Sequence, residues 1–377
     1  MKRVIQSILC TLAAAVLSAQ TSVFVTVTNH NEEALTWCGA ATGQMAVSGY
    51  PAGACPVVQA DMWDAIQAHQ LEAGWDTDPK GLRDGMMAIC PGAHWVDFSN
   101  ASAPALMYSA AYWMNRLHYP VPLLLSTTPH NSVAAHHERW ILIKGMVTDN
   151  NPLTTSSVTL QYVFIVDPSP TVFGDPPAEL LISGSQFYSE FQAVAKPGSA
   201  YDGKYVAIIE PPERTGTATA KRLPISGTLL SAAQILARAE RELATAAKYA
   251  PSIVESNALQ PMRPQIVNGG RGGAYYIVRF AAPGKLPTLT VVLNAYSGEL
   301  MEVVKHAPRS FLDESHALEN AGRFLRGAKV SNLKATLVAP LEGSAPYEPV
   351  WRVTANDVDL MVDPEGKVRR LPRRLIP

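Results

Sequence analysis

The chain has 377 residues, of which 47% are hydrophobic and 17% charged, with a formal net charge of -1. That length is more than one average domain needs, and that composition feeds a packed core, which speaks against general disorder. The near-neutral charge speaks against nucleic-acid binding by broad electrostatics.

MKRVIQSILCTLAAAVLSAQ opens the chain like a secretory signal. Lys2 and Arg3 form a basic start, an apolar run follows over residues 4–17, and cleavage is expected after Ala19 or Gln20. The run is short for a membrane span, so the expectation is a secreted or periplasmic protein without a stable membrane span. Cys10 is expected to leave with this segment. Export into an oxidising compartment leaves an odd set, Cys38, Cys55 and Cys90, and the economical solution is one disulfide and one free thiol. Cys55 and Cys90 sit in loop-like stretches and Cys38 at a helix start, so the expected disulfide is Cys55 with Cys90.

Residues 22–28 have strand composition, and the spacing predicts helices from Cys38 to about Gly49, over 60–74 and over 105–118. Strands are expected over 121–126, 140–147 and 159–168, then a short helix in LISGSQFYSEFQ and a strand over 204–212. Helices followed by an antiparallel sheet are an α+β pattern. Residues 214–227 turn polar and read as a linker. Beyond it lies an alanine-rich helix over 228–249 with strands AYYIVRFAA and TLTVVLNAYSGELMEVV, then a second helix, LDESHALENAGRFLRG, with three more strands. This reads as two tandem helix-plus-antiparallel-sheet modules, 228–306 and 307–377.

The chemistry is expected at Cys38. A thiol attacks as the thiolate, and a helix N-terminus or an imidazolium lowers its pKa. His136 and His137 precede the apolar strand over 140–147, and the next strand ends at Asp167. In an antiparallel pair the start of one strand lies near the end of its neighbour, so a carboxylate there is placed to hold an imidazole. His94-Trp95-Val96 lacks a matching strand and reads as structural. HHERW lacks the spacing of a zinc-peptidase helix, so no metal site is expected, and NGGRGGAY is a turn rather than a nucleotide fingerprint.

Trp37-Cys38-Gly39 with Ala41, the strand Trp140 to Gly145, and Val166-Asp167-Pro168 together resemble the papain-like cysteine peptidases of the bacterial peptidase C39-like type. The resemblance covers residues 21–213 and implies a papain-like domain with its N-terminal helices packed on an antiparallel sheet. It implies Cys38 as nucleophile, a histidine as general base and Asp167 as the residue that orients it, with no metal or organic cofactor. This chain departs from the pattern twice. The family's histidine directly precedes the tryptophan, where this chain has Arg139; His137 lies two residues earlier on the same face, with His136 as the alternative base. The family's oxyanion glutamine falls at Glu32, with Asn31 beside it, and a carboxylate donates no hydrogen bond. The two C-terminal modules resemble PepSY-like domains, which implies binding, or restraint of the peptidase through an intramolecular contact with its cleft.

Three functions fit these residues: a secreted cysteine peptidase acting on peptide or protein substrates through a thioester acyl-enzyme, an inactive papain-like binding protein, and a transglutaminase-like acyl transferase.

Overall fold

The computed structural model describes residues 20–50, 55–127, 137–168, 178–210, 215–254, 258–270, 273–306, 311–325, 332–339, 349–355, 358–364 and 366–371, with His137 as backbone only. The signal-like segment up to residue 19 and His136 lie outside the described residues. The fold is mixed α/β, with seven helices and a large, mostly antiparallel sheet among the described residues. None of these helices is long and apolar enough to cross a membrane.

The sheet is centred on two long strands, β4 (His137–Thr148) and β5 (Ser157–Asp167), paired antiparallel with Leu142 opposite Val166. The start of β4 pairs with β3 (Val121–Thr127), from Val121 opposite Ile143 to Thr127 opposite His137. Its far end pairs with β1 (Thr21–Phe24), where Phe24 faces Gly145. Beyond β3 lie β7 (Tyr205–Ile209) and then β2 (Val96–Asn100). On the other side β5 pairs with β6 (Ala178–Ser183), and β5 also takes β8 (Thr217–Thr219) in parallel along its first residues. The stretch that reads as a linker in sequence therefore contributes a strand.

Helices cover both faces, as the period-two alternation of the strands requires. Trp140, Leu142 and Val166 point into one cluster with α1 (Cys38–Ser48), α2 (Gln59–His69) and α3 (Pro79–Ile89). Ile141, Ile143, Val163 and Ile165 point the other way, onto α4 (Ala103–Leu117) and Phe187 of α5 (Gly184–Glu190). A bulge between Ile143 and Gly145 shifts the register, and beyond it Phe164 joins a third cluster with Ile235 and Ala239 of α6 (Ala232–Tyr249).

The sheet does not stop at the end of the N-terminal part. Strand β13 (Leu300–Lys305) pairs antiparallel with β6, from Glu302 opposite Ile182 to Lys305 opposite Glu179. Strands β12 (Leu289–Asn294), β11 (Gly273–Ala281) and β10 (Gln265–Gly270) continue it, and β9 (Gln260–Pro261) shares an edge of β11. A last group, β14 (Lys334–Val338), β15 (Val350–Ala355), β16 (Val358–Val362) and β17 (Val368–Arg370), joins through Asn268 opposite Val338. The helix α7 (Glu314–Phe324) packs against these strands through Ala317 and Ala321.

Candidate active site

Cys38 is the first residue of α1, and Trp37 caps that helix without a side-chain hydrogen bond. The helix is fixed to the sheet by Thr42, whose Oγ1 donates to the carbonyl of Trp140 at 3.1 Å. Trp140 is buried, and its indole Nε1 donates to the carbonyl of Thr77 at 3.1 Å. Gly39 is required where α1 passes Thr77, because a Cβ on it would lie 2.5 Å from that side chain. These contacts bring the thiol against the start of β4, where the backbone N–H of Trp140 donates to Cys38 Sγ at 3.5 Å.

The carboxylate expected at the end of β5 is there. Asp167 is its last residue and is buried. Its Oδ2 accepts from Nη1 of Arg139 at 2.9 Å. Arg139 stands directly before Trp140, the place where the sequence resemblance puts a histidine. His137 lies two residues earlier in β4, opposite Thr127, and only its backbone is described.

The loop ahead of Cys38 is held by a buried amide. The side chain of Gln59, in the first turn of α2, is fully buried. Its Nε2 donates to the carbonyl of Asn31 at 2.8 Å and to Gln44 Oε1 at 3.2 Å, and its Oε1 accepts from the N–H of Glu33 at 2.6 Å. The N–H of Glu32 donates to the carbonyl of Pro168 at 2.9 Å, which ties this loop to the end of β5. Glu32 is thus held at the end of β5 and Asn31 at the start of α2. Gln59, Thr77 and the Trp140 N–H did not stand out in sequence. The signal for Gln59 is a polar residue at a helical position in step with the buried Met62 and Ile66.

The electrostatics oppose a thiolate. Cys38 as a residue is only partly buried and is a free thiol. Burial of its sulfur, ahead of every other cause, pushes the thiol up to about 12. The negative charges of Glu32 and Asp167 add to the rise, and the N–H groups of Trp140 and Gly39 oppose it without prevailing. A helix N-terminus favours an anion, but here desolvation and two carboxylates outweigh it.

The disulfide joins Cys55 and Cys90, with Cα atoms 5.7 Å apart. The N–H of Cys55 donates to the carbonyl of Val47 near the end of α1, and Cys90 caps the C-terminus of α3. The bridge therefore closes the three-helix layer behind the thiol. His94 is exposed, and its backbone N–H donates to Glu210. Among the described residues no group of three or more His, Cys, Asp or Glu side chains comes together as a metal ion would need.

No protein-family model, no curated protein and no solved structure matches the chain.

Proposed function

We propose that this chain is an exported papain-like protein that binds peptides at the Cys38 site without hydrolysing them. The observation that carries this reading is the Arg139–Asp167 pair at 2.9 Å. Cysteine hydrolysis needs a group beside the thiol that takes its proton and returns it to the leaving amine. A guanidinium stays protonated throughout the working range and accepts no hydrogen bond. With Arg139 on the carboxylate, the arrangement keeps the architecture of a Cys–His–Asp site and lacks its proton acceptor at that position. The raised thiol agrees, since Cys38 stays neutral where a peptidase needs a thiolate. Export is supported by the signal-like N-terminus and by the Cys55–Cys90 disulfide, because such bonds persist in oxidising compartments.

The second reading is hydrolysis with His137 as base. It is favoured by the 3.5 Å approach of the Trp140 N–H to Cys38 Sγ, three residues along the strand from His137. It requires Asp167 to pass from Arg139 to the imidazole.

Alkylation at about pH 7, with the label located by peptide mass, separates the two. A binding protein labels Cys38 slowly, equally so in the wild type and His137→Ala, and leaves a mixed-sequence peptide library uncut. Fast labelling that His137→Ala abolishes, with cleavage of the library, would establish the peptidase.

A further inference from the structure

Gln20 stands just ahead of β1 and is exposed. An exposed polar side chain at the entry to a strand needs no fixed protein partner, yet this one has a partner 229 residues away in sequence. The phenol of Tyr249, the last residue of α6, donates to Gln20 Oε1 at 2.7 Å. That phenol is itself held in place. Tyr249 is buried, and its ring stacks on Phe24 of β1 with centroids 6.2 Å apart and planes 26° from parallel, and lies 6.2 Å from the ring of Tyr162 in β5. Lys248 Nζ donates to the same phenol oxygen at 3.0 Å. Lys248, Tyr249 and Gln20 thus form a chain of hydrogen bonds that ends on one carboxamide oxygen, and a cation at the head of such a chain strengthens the bond after it.

The place of this glutamine in the sequence matters as much as its contact. A secretory signal is cut after a small residue, which Ala19 is and Gln20 is not. Cleavage there makes Gln20 the first residue, with a free α-amine beside its own carboxamide. A neutral amine is a nucleophile toward that carbonyl, and negative charge develops on the carbonyl oxygen during attack. A donor already aimed at that oxygen stabilises the charge as it forms. A cation on the same phenol disfavours a second positive charge nearby, and so favours the neutral amine over the ammonium.

Resting on the reading of the chain as exported, we propose that Gln20 is a modification site, where the mature N-terminus closes on itself as a pyroglutamyl lactam with Tyr249 as the promoting donor. The α-nitrogen bonds to Cδ and the Cδ–Nε2 bond breaks. The proton shed by the α-nitrogen passes to Nε2, which leaves as ammonia, and no further reactant is consumed. Oε1 stays behind as the lactam carbonyl and keeps the Tyr249 hydrogen bond. The product carries no charge beside Lys248 and offers no ammonium to an aminopeptidase at the entry to β1.

The test expresses the full chain in an exporting host and reads the N-terminal peptide of the exported protein by mass at intervals after induction. The wild type is expected to begin at Gln20 and to become lighter by one ammonia. Tyr249→Phe keeps the stacked ring and removes only the hydroxyl, so it is expected to begin at the same residue and to form the lactam at least about tenfold more slowly. Lys248→Met is expected to slow it several-fold. A synthetic peptide of residues 20–25 in the same medium, which has neither donor, is expected to cyclise as slowly as Tyr249→Phe. A free Gln20 that persists, a Tyr249→Phe chain or a synthetic peptide that cyclises as fast as the wild type, or a mature chain that begins at Thr21 overturns the proposal and leaves the export reading standing. A chain that keeps Met1 and stays inside the cell takes the export reading down with it.

Discussion

β4 carries two cations that hold two carboxylates, and the two pairs have opposite surroundings. Near its start Arg139 reaches Asp167, with side chains 34% and 9% exposed. Five residues on, Lys144 reaches Glu179, with side chains 6% and 5% exposed. The inner pair is enclosed on every side. Lys144 Nζ also donates to Asn29 Oδ1 at 3.2 Å and lies 4.5 Å from the centre of the Phe164 ring. Glu179 takes a hydrogen bond from Ser252 at 3.2 Å, and Lys305 lies across from it in β13. This pair therefore joins β4, β6 and the C-terminal strands. The outer pair sits at a strand end with its cation a third exposed. A buried pair is costly to break because one charge is left without water or partner, and the cost is lower where one partner is a third exposed, as Arg139 is. The inner end of β4 is committed to architecture, and the outer end is free to set chemistry.

The comparison is broken most directly at Lys144. Lys144→Met strands Glu179 in the interior and is expected to cost about 3–5 kcal/mol of unfolding free energy, read from urea denaturation. The double variant Lys144→Met/Glu179→Leu is expected to recover most of that loss. The pH dependence weakens with it. In the wild type burial pushes Glu179 up, but the hydrogen bond and charge of Lys144, with Asn29 and Lys305, prevail and hold it below the ordinary carboxylate value. Its contribution is thus present above the unfolded value of about 4 and is lost as pH falls through the lower folded one. In Lys144→Met the Asn29 hydrogen bond and the charge of Lys305 remain but the largest lowering cause is gone, so burial weighs more and the stability lost on acidification is expected to shrink. A loss below about 1 kcal/mol would mean that the inner pair is no more committed than the outer.

The disulfide tests whether the layer behind the thiol is equally fixed. Cys55→Ser/Cys90→Ser opens the bridge between the exit of α1 and the end of α3, and is expected to cost about 2–4 kcal/mol. Thermal denaturation with and without reductant measures the same quantity in the wild type. If the double variant melts with the wild type, α1–α3 are held by their apolar contacts alone.

At the outer end the expected effect on stability is smaller and that on reactivity larger. Arg139→Ala leaves the buried Asp167 without its cation and is expected to cost about 1–2 kcal/mol of unfolding free energy. It leaves Asp167 with less positive charge nearby, so labelling of Cys38 by iodoacetamide is expected to be no faster than in the wild type. Arg139→His places an imidazole directly before Trp140 and within reach of Asp167. It is expected to speed labelling at about pH 7 at least a hundredfold, about 2.7 kcal/mol in activation free energy. Labelling in Arg139→His as slow as in the wild type would mean that burial alone, not the missing base, silences the thiol.

The elements that frame the site were legible because local pattern and tertiary role agree there. Cys38 opens a helix whose alanines lie against the sheet, and β4 and β5 are apolar enough to read as strands. The helix α3 was not legible. Its sequence, PKGLRDGMMAI, has the proline and glycines of a turn. The structure supplies what the local sequence hides. Asp78 caps the helix by accepting from the N–H of Gly81, Pro79 sits where no N–H is needed, and Gly85 lies so close to Ile66 that a Cβ would be 2.9 Å from its atoms. β8 was hidden for another reason. It has three residues and its partner β5 is distant in sequence, and a strand formed by such pairing has no local signature. The same limit applied to the site. That Arg139 and Asp167 share a face depends on the register of β4 against β5, which carries bulges. The arginine was visible as a departure from the family pattern, but its salt bridge was not.

The smallest expected effect sharpens the comparison at the residue that leads into the thiol. If the site at Cys38 is shaped for binding, a conformation beside it can be held against its own preference, and Thr36, in the turn ahead of α1 at φ 75°, is such a case. Thr36→Gly removes the clash between a β-branched side chain and positive φ, and it also loosens the unfolded chain, which offsets part of the gain. The net expectation is a rise of roughly 0.5–1 kcal/mol in unfolding free energy. Thr36→Val keeps the strain and removes only the hydroxyl, so it is expected to match the wild type. Opposite results, a loss in Thr36→Gly with an equal loss in Thr36→Val, would show that the hydroxyl is what stabilises this turn. A gain in Thr36→Gly accompanied by weaker peptide binding would show that the strain serves the site at Cys38.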